Sequence, residues 1–282
     1  MYIYGFAILH VFLMTIVAYA MMILMPRDKS APVVMLWVLA YLSYIKLSLM
    51  INNNYDAGRR MEIDAYTMLL VCKLSSLAYC YQDGATDSAK LNQDQRDRMI
   101  TSLPTPLELA SYVWYSQACA IGVFFEFSDY KRWIERRSEY ANVPSPIVPS
   151  LIWLAKGLLC LVFFIIVSPY FNDEFCWSKD YTDHSIVYRV FYYYVAMTVK
   201  RFFYYNPFCM SCGAIIASGL GYNGVQKGDH QWNKIISVYI WEIETSSSPI
   251  EMLRFWNHQV HLWLKFYIMA RLTPVGKRPG VF

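Results

Sequence analysis

The chain has 282 residues, 56% of them hydrophobic, 17% aromatic and only 16% charged, with a mean hydropathy of +0.26. A water-soluble domain carries about 25% charged residues, so the composition excludes a disordered chain and points to a membrane protein. A net charge of +4 from 25 basic and 21 acidic residues lacks the basic excess of a nucleic-acid binder, and seven cysteines scattered through apolar runs are no disulfide framework.

A membrane span needs about 20 apolar residues. The first such run covers 5–25 and is broken only by His10 and Thr15. Ala18-Tyr19-Ala20 fits a cleavage site, but no basic segment precedes it and the apolar run continues through Met21–Met25. A retained anchor helix is therefore expected rather than a signal peptide. Further runs cover 31–51, opened by Pro32; 63–81, with Lys73 inside; 107–125, after Pro104 and Pro106; and 150–171, with Lys156 inside. From Ser185 to Tyr222 the apolar character persists, but Lys200-Arg201 and Pro207 interrupt it, and two helices are expected, 185–199 and 202–222. After Gly224 the chain turns polar, and 250–272 reads as an amphipathic helix. The expected fold is all-α: a multi-span integral membrane helical protein forming one membrane-embedded domain over 1–282.

Loop charge suggests an orientation. Lys131, Arg132, Arg136 and Arg137 follow the fourth run, whereas Asp173, Glu174, Asp180 and Asp183 follow the fifth. This places the 126–149 loop in the cytosol. With four spans before it, the N-terminus and the Arg59-Arg60 loop are expected there too; Arg27 and Lys29 then fall on the disfavoured side.

Charged groups inside spans are functional candidates because their burial is costly. Lys73 and Lys156 either mark a site or snorkel and pair with neighbouring acids. Cys209 and Cys212 form a single C-x-x-C, short of the four ligands of a structural zinc site. Phe124-Phe125-Glu126-Phe127-Ser128-Asp129-Tyr130 sets two carboxylates among aromatics. It reads either as an interfacial belt with a capping serine or as the mouth of a polar cavity. Ser218-Gly219-Leu220-Gly221-Tyr222-Asn223-Gly224 is no phosphate loop, since it lacks Gly-Lys-Ser/Thr; it suits a sharp turn leaving the membrane. In the segment Trp256–Lys265, an unbroken helix would put Asn257, His261 and Lys265 on one face and Trp256, Val260 and Trp263 on another.

Four motifs in order resemble the membrane-bound O-acyltransferases, in their lysophospholipid acyltransferase branch. They are Lys73-Leu74-Ser75-Ser76-Leu77-Ala78 with Asp83-Gly84; Pro104-Thr105-Pro106 leading to Phe124–Tyr130; Ser218–Gly224; and Trp241-Glu242-Ile243-Glu244-Thr245 leading to Trp256-Asn257, Trp263-Leu264-Lys265 and Arg271. The match spans 62 to 280. One departure is Glu62-Ile63-Asp64-Ala65, where the family usually has Asp-x-Thr-Gly.

The resemblance implies acyl transfer from acyl-CoA to a lysophospholipid hydroxyl. It implies Asn257 as a catalytic residue and Glu126, Asp129, Asn223, Glu244, Trp256 and Arg271 as substrate-binding residues. It also implies a multi-pass location in the endoplasmic reticulum membrane and acyl-CoA as a substrate, with no metal and no other cofactor. A neutral histidine suits the base near pH 7, and an asparagine amide suits the oxyanion donor. The family's histidine lies in a Trp-His-Gly-like span after Asn257. None of His10, His184, His230, His258 or His261 stands in such a motif, and the sequence ends at Lys277–Phe282. The expectation is a C-terminally truncated product that is silent on its own. The alternatives are an inactive membrane scaffold and a relative that acylates another lipid or a protein.

Overall fold

The computed structural model describes residues 8–51, 63–119 and 123–272. Arg59, Arg60, Glu62 and Lys277–Phe282 lie outside the described residues.

Three long helices open the chain: α1 (Ile8–Leu24), α2 (Arg27–Ile51) and α3 (Ile63–Asp83). Val11, Met14, Ala18 and Met22 repeat at helical spacing on α1 and are buried, as are Ala31, Val34, Val38 and Ile45 of α2 and Leu70, Leu74 and Leu77 of α3. This is the stripe-to-stripe packing that amphipathic spacing dictates. Arg27 locks one end of the bundle. Its guanidinium donates to the carbonyls of Tyr81 (2.5 Å), in the last turn of α3, and of Ile100 (2.7 Å) and Thr101 (3.0 Å), beyond Arg98.

Short elements follow: α4 (Gln93–Arg98), α5 (Pro106–Val113), α6 (Ser116–Cys119) and α7 (Phe127–Ile134). Thr105 and Glu108 cap α5 reciprocally, with Pro106 in its first turn. The stretch expected as a span at 107–125 is not one continuous helix but holds α5 and α6. An eight-residue helix is about 12 Å long, well short of a hydrocarbon core of about 30 Å. From Pro104, whose carbonyl accepts from Tyr19, α5 runs inward until the Val113 carbonyl accepts from Tyr66 (2.5 Å) and the Trp114 ring meets Phe12 (4.8 Å). The chain then returns to its starting end. Glu126 meets Tyr267 beside Cys80, Lys131 faces Glu108 at 3.5 Å, and Arg132 donates to the Asp97 carbonyl at 3.0 Å. The described part of this stretch, 106–119 and 123–126, therefore starts and finishes at the same end of the helix bundle. Its irregular backbone is tolerated because Val123, Phe124 and Phe125 are buried in protein. Arg27, Asp83 and the 126–149 loop share one end of the bundle, and the start of α1 lies at the other.

A long hairpin comes next, built from α8 (Ile147–Val167), α9 (Lys179–Asp183) and α10 (Ile186–Ala217). Its legs approach closely: Ser150 Oγ donates to the Gly213 carbonyl (3.0 Å) and Asn206 Nδ2 to that of Gly157 (2.8 Å). The two helices expected at 185–199 and 202–222 are one helix of 32 residues. Lys200 and Arg201 do not break it because each charge is matched, by Asp173 (2.8 Å) and Glu244 (2.7 Å). At its end Gly219, with φ of 89°, turns the chain.

The last part holds a two-residue hairpin, β1 (Val225–Gln226) and β2 (Asp229–His230), then α11 (Ile240–Glu244), α12 (Pro249–Phe255), α13 (His258–Trp263), a π-helical turn at Leu264–Met269, and α14 (Ala270–Leu272). The amphipathic helix expected over 250–272 is broken at Trp256-Asn257, where Asn257 adopts φ 50° and ψ 49°. Beyond the break the chain runs alongside α3. Trp263 Nε1 donates to Ser75 Oγ (3.0 Å), the Tyr267 hydroxyl meets Cys80 Sγ (3.2 Å), and Arg271 grips Asp83 (2.7 and 2.5 Å). By length and apolarity, Arg27–Ser48 and Ile147–Val167 are long enough to cross a membrane.

Candidate functional site

A cleft of about 350 Å³ leads from the Arg27 end of the molecule down towards His258. Its outer wall is polar. Asn223 Nδ2 donates to Asn233 Oδ1 at 2.8 Å. Lys234 bridges Asp129 (3.1 Å) and Glu139, and Arg132 pairs with the same two carboxylates. Burial opposes ionisation of Glu139, but the Lys234 bond prevails and holds its pKa at about 2. The charges thus cancel locally, and the four side chains fix α7 to the 231–239 segment.

Glu126 forms the next step inward. Its Oε2 accepts from the Tyr267 hydroxyl at 2.8 Å, and its Oε1 lies 3.7 Å from Arg98 Nε. The Arg98 guanidinium lies over the Phe266 ring, 3.6 Å from its centroid. Burial pushes the Glu126 carboxyl up to about 7, against the opposing pull of Arg98 and Tyr267. The π-helical turn supplies both Phe266 and Tyr267, and such turns concentrate at functional sites.

The inner end is built by two crossing segments. Val238 and Trp256 form an isolated antiparallel bridge, and the His258 N–H donates to the Ser237 carbonyl at 2.8 Å. Gln259 Nε2 donates to the carbonyls of Lys234 and Ile236, both at 3.1 Å. The left-handed backbone at Asn257 makes this crossing possible; asparagine is one of the few residues that adopts it readily. The Asn257 carbonyl accepts from the N–H groups of Val260 (2.9 Å) and His261 (3.2 Å) and so starts α13. Its side-chain Oδ1 is buried with no partner among the described residues, and so is Ser237 Oγ. An orphaned buried polar atom costs about 1–3 kcal/mol, and in a native protein it marks strain, catalysis or a missing ligand.

Of the residues singled out from the sequence, Glu126, Asp129 and Asn223 line this cleft, whereas Asn257 immediately precedes the lining residues His258 and Gln259 without lining it itself. Trp256 packs on Tyr204, Tyr205 and Phe208 with centroids 5.8 to 6.4 Å apart. Glu244 and Arg271 lie elsewhere in ion pairs. Glu244 accepts from Arg201 and from the Tyr205 hydroxyl (2.7 Å), while Arg271 holds Asp83. The shared face of Asn257, His261 and Lys265 is lost, because Asn257 precedes the helix on left-handed backbone. Lys73, buried on α3, donates to the Tyr112 carbonyl (2.8 Å) and lies over the Tyr112 and Phe125 rings. It thereby holds α5 and Phe125 rather than facing the cleft. Arg98, Asn233, Lys234 and Gln259 were not singled out from the sequence. They sit in ordinary polar stretches and become site residues only through folding.

The family model for the membrane-bound O-acyltransferases matches residues 12–282. The chain belongs to this family. Among curated relatives, a lysophospholipid acyltransferase of Schizosaccharomyces pombe is 29% identical over 78% of this chain and 45% of its own length. One of Saccharomyces cerevisiae is 27% identical over 80% of this chain and 40% of its own. Human lysophospholipid acyltransferase 5 is 26% identical over 80% and 46%. The chain spans about half the length of the curated relatives it matches. As a membrane-bound O-acyltransferase it is a helical membrane protein, and of the segments through which the sequence resembled the family, Phe124–Asp129 and Asn223 contribute to the cleft.

Proposed function

We propose that the protein of which this chain forms the whole or a part transfers an acyl group from acyl-CoA to the hydroxyl of a lysophospholipid. The carrying observation is Asn257, set by its left-handed backbone directly before His258 and Gln259 of the polar cleft, with a buried side-chain oxygen that has no partner among the described residues. The names of the relatives support the substrate class.

In this reaction the lysophospholipid hydroxyl attacks the thioester carbonyl. A base takes the hydroxyl proton, a tetrahedral oxyanion forms, and its collapse releases the CoA thiolate and leaves the new ester. A fixed amide donor near the developing oxyanion is worth about 3–4 kcal/mol; in this reading the Asn257 Nδ2 group is that donor, while its unpartnered Oδ1 is free to accept from the substrate. The resemblance assigns the base to a histidine in a motif this chain does not contain. Glu126, Asp129 and Asn223 shape the route to Asn257.

Acyl-CoA enters from the end that carries Arg27, Lys131 and Arg132, which we assign to the cytosol on the positive-inside rule. We read 106–126 as re-entrant rather than crossing, which brings Arg27 and Lys29 to the basic side but takes the Arg59-Arg60 stretch between α2 and α3 away from it. The location is a multi-pass one in the endoplasmic reticulum membrane, and the reaction uses no metal or bound organic cofactor.

The test is an assay of membranes from cells expressing the gene, supplied with labelled acyl-CoA and a panel of lysophospholipids. Label transferred to at least one diacyl phospholipid above the untransfected background is the expected result. Label found only on protein or on a neutral lipid would replace this reading with its alternative.

A further inference from the structure

The basic side chains around the cleft are matched to carboxylates: Arg98 to Glu126, Arg132 and Lys234 to Asp129, Arg201 to Glu244, and Arg271 to Asp83. One group departs from this pattern. Arg254, His258, His261 and Lys265 follow one another on α12, α13 and the π-helical turn, and among the described residues none of them forms an ion pair. Arg254 Nε is buried without a hydrogen-bond partner. His258 presents its Nδ1 to the Arg254 carbonyl at 2.8 Å and stacks on His261 with ring centroids 6.1 Å apart. Burial and the surrounding His258, Arg254 and Lys265 hold the His261 pKa below the usual histidine range. These basic groups therefore converge in space and repel one another. Only His258 reaches the lining of the cleft directly, so the stripe flanks the route to Asn257 rather than blocking it.

A row of basic side chains with no carboxylate partner, its Arg254 Nε buried and unbonded among the described residues, is stabilised when an anion occupies it. The anion must offer several acceptor oxygens to donors spread over three turns, as phosphate does. We propose that Arg254, His258, His261 and Lys265 form a phosphate-binding strip that holds the phosphate-bearing part of a substrate while its reactive end reaches Asn257. This rests on the acyl-transfer reading for its substrate class. Two molecules of that class carry the chemistry: coenzyme A, with its phosphate and diphosphate, and the lysophospholipid, with its headgroup phosphate.

The test measures binding and not turnover, so it stands apart from the acyltransferase assay. The full 282-residue chain is placed in nanodiscs of phosphatidylcholine. Coenzyme A and lysophosphatidylcholine are titrated separately into wild type, Arg254→Gln/Lys265→Gln and the charge-keeping Arg254→Lys/Lys265→Arg. The expected result is that one of the two probes binds wild type, weakens with added salt and binds the neutralised pair about tenfold less tightly, with recovery in the charge-keeping pair. Loss in the coenzyme A arm assigns the strip to CoA phosphate; loss in the lysophosphatidylcholine arm assigns it to the lipid headgroup. Equal affinity of all three proteins in both arms, or no binding of either probe to wild type, overturns the proposal. Circular dichroism and thermal melting of each variant separate lost binding from lost folding. If phosphate binding is confirmed while expressed membranes transfer no acyl group, the functional reading fails and the strip remains.

Discussion

Asn257 combines a left-handed backbone, at φ 50° and ψ 49°, with an amide whose oxygen has no partner among the described residues, so substitutions there separate fold from chemistry. Asn257→Gly keeps the backbone and removes the amide, whereas Asn257→Ala adds strain of about 1–2 kcal/mol. Thermal melting in detergent is expected to place the alanine variant below the glycine variant. A glycine variant melting below the alanine variant would contradict the backbone account. At Glu126 the carboxyl is raised from its ordinary 4.5 to about 7 by burial. A carboxyl raised in the folded state contributes stability that is fully present below its unfolded value and is lost as pH rises through the folded one. The wild-type melting temperature is thus expected to fall between pH 5 and 8 through this group (endpoints approximate). Glu126→Gln, which keeps an acceptor for Tyr267, flattens that fall. An equally steep fall in the glutamine variant contradicts the assignment.

Elements show where sequence reading succeeds and where it stops. The stripes on α1, α2 and α3 are legible because burial follows helical spacing over four or more turns. The run 107–125 reads as a span because composition does not distinguish a re-entrant segment from a crossing one. What distinguishes them is the set of partners on α1, α3 and α4, which are distant in sequence. Lys200-Arg201 reads as a helix end for the same reason: Asp173 and Glu244 lie 27 and 43 residues away. The periodicity of 250–272 runs through Trp256-Asn257 unbroken, and nothing in that pattern announces a left-handed residue. Glu126, Asp129, Asn223 and Asn257 were reached through the resemblance, whereas Arg98, Lys234 and Gln259 gain meaning only from their contacts. The pairing of α14 with α3 gives an element-scale prediction. Asp83 is buried and held at two points by Arg271, so Arg271→Gln, which leaves that carboxylate without its cation, is expected to cost about 3–5 kcal/mol. Asp83→Asn combined with Arg271→Gln should regain most of this in melting experiments, and additive losses would show that the pair is not coupled.

For the whole molecule, the re-entrant segment fixes which ends share a side. Arg27, Lys29 and the 126–149 loop belong together, opposite the start of α1. Asp28→Cys and Glu135→Cys, each in a background cleared of native reactive cysteines, are expected to label alike in sealed microsomes, both from the cytosolic side. Labelling from opposite sides would restore a fourth crossing before residue 126 and undo the arrangement of the cleft. The same architecture brings a polar wall, the buried Glu126 carboxyl and His258 to one cleft, with Asn257 directly before His258 in the chain. The most direct measurement of that claim is acyl-CoA-dependent acylation of lysophospholipid by membranes expressing the gene with Asn257 or with Asn257→Gly at equal protein level. Loss of about 100-fold or more in the glycine variant is the predicted result; turnover within twofold of wild type, a bound set well inside that loss, would contradict the account.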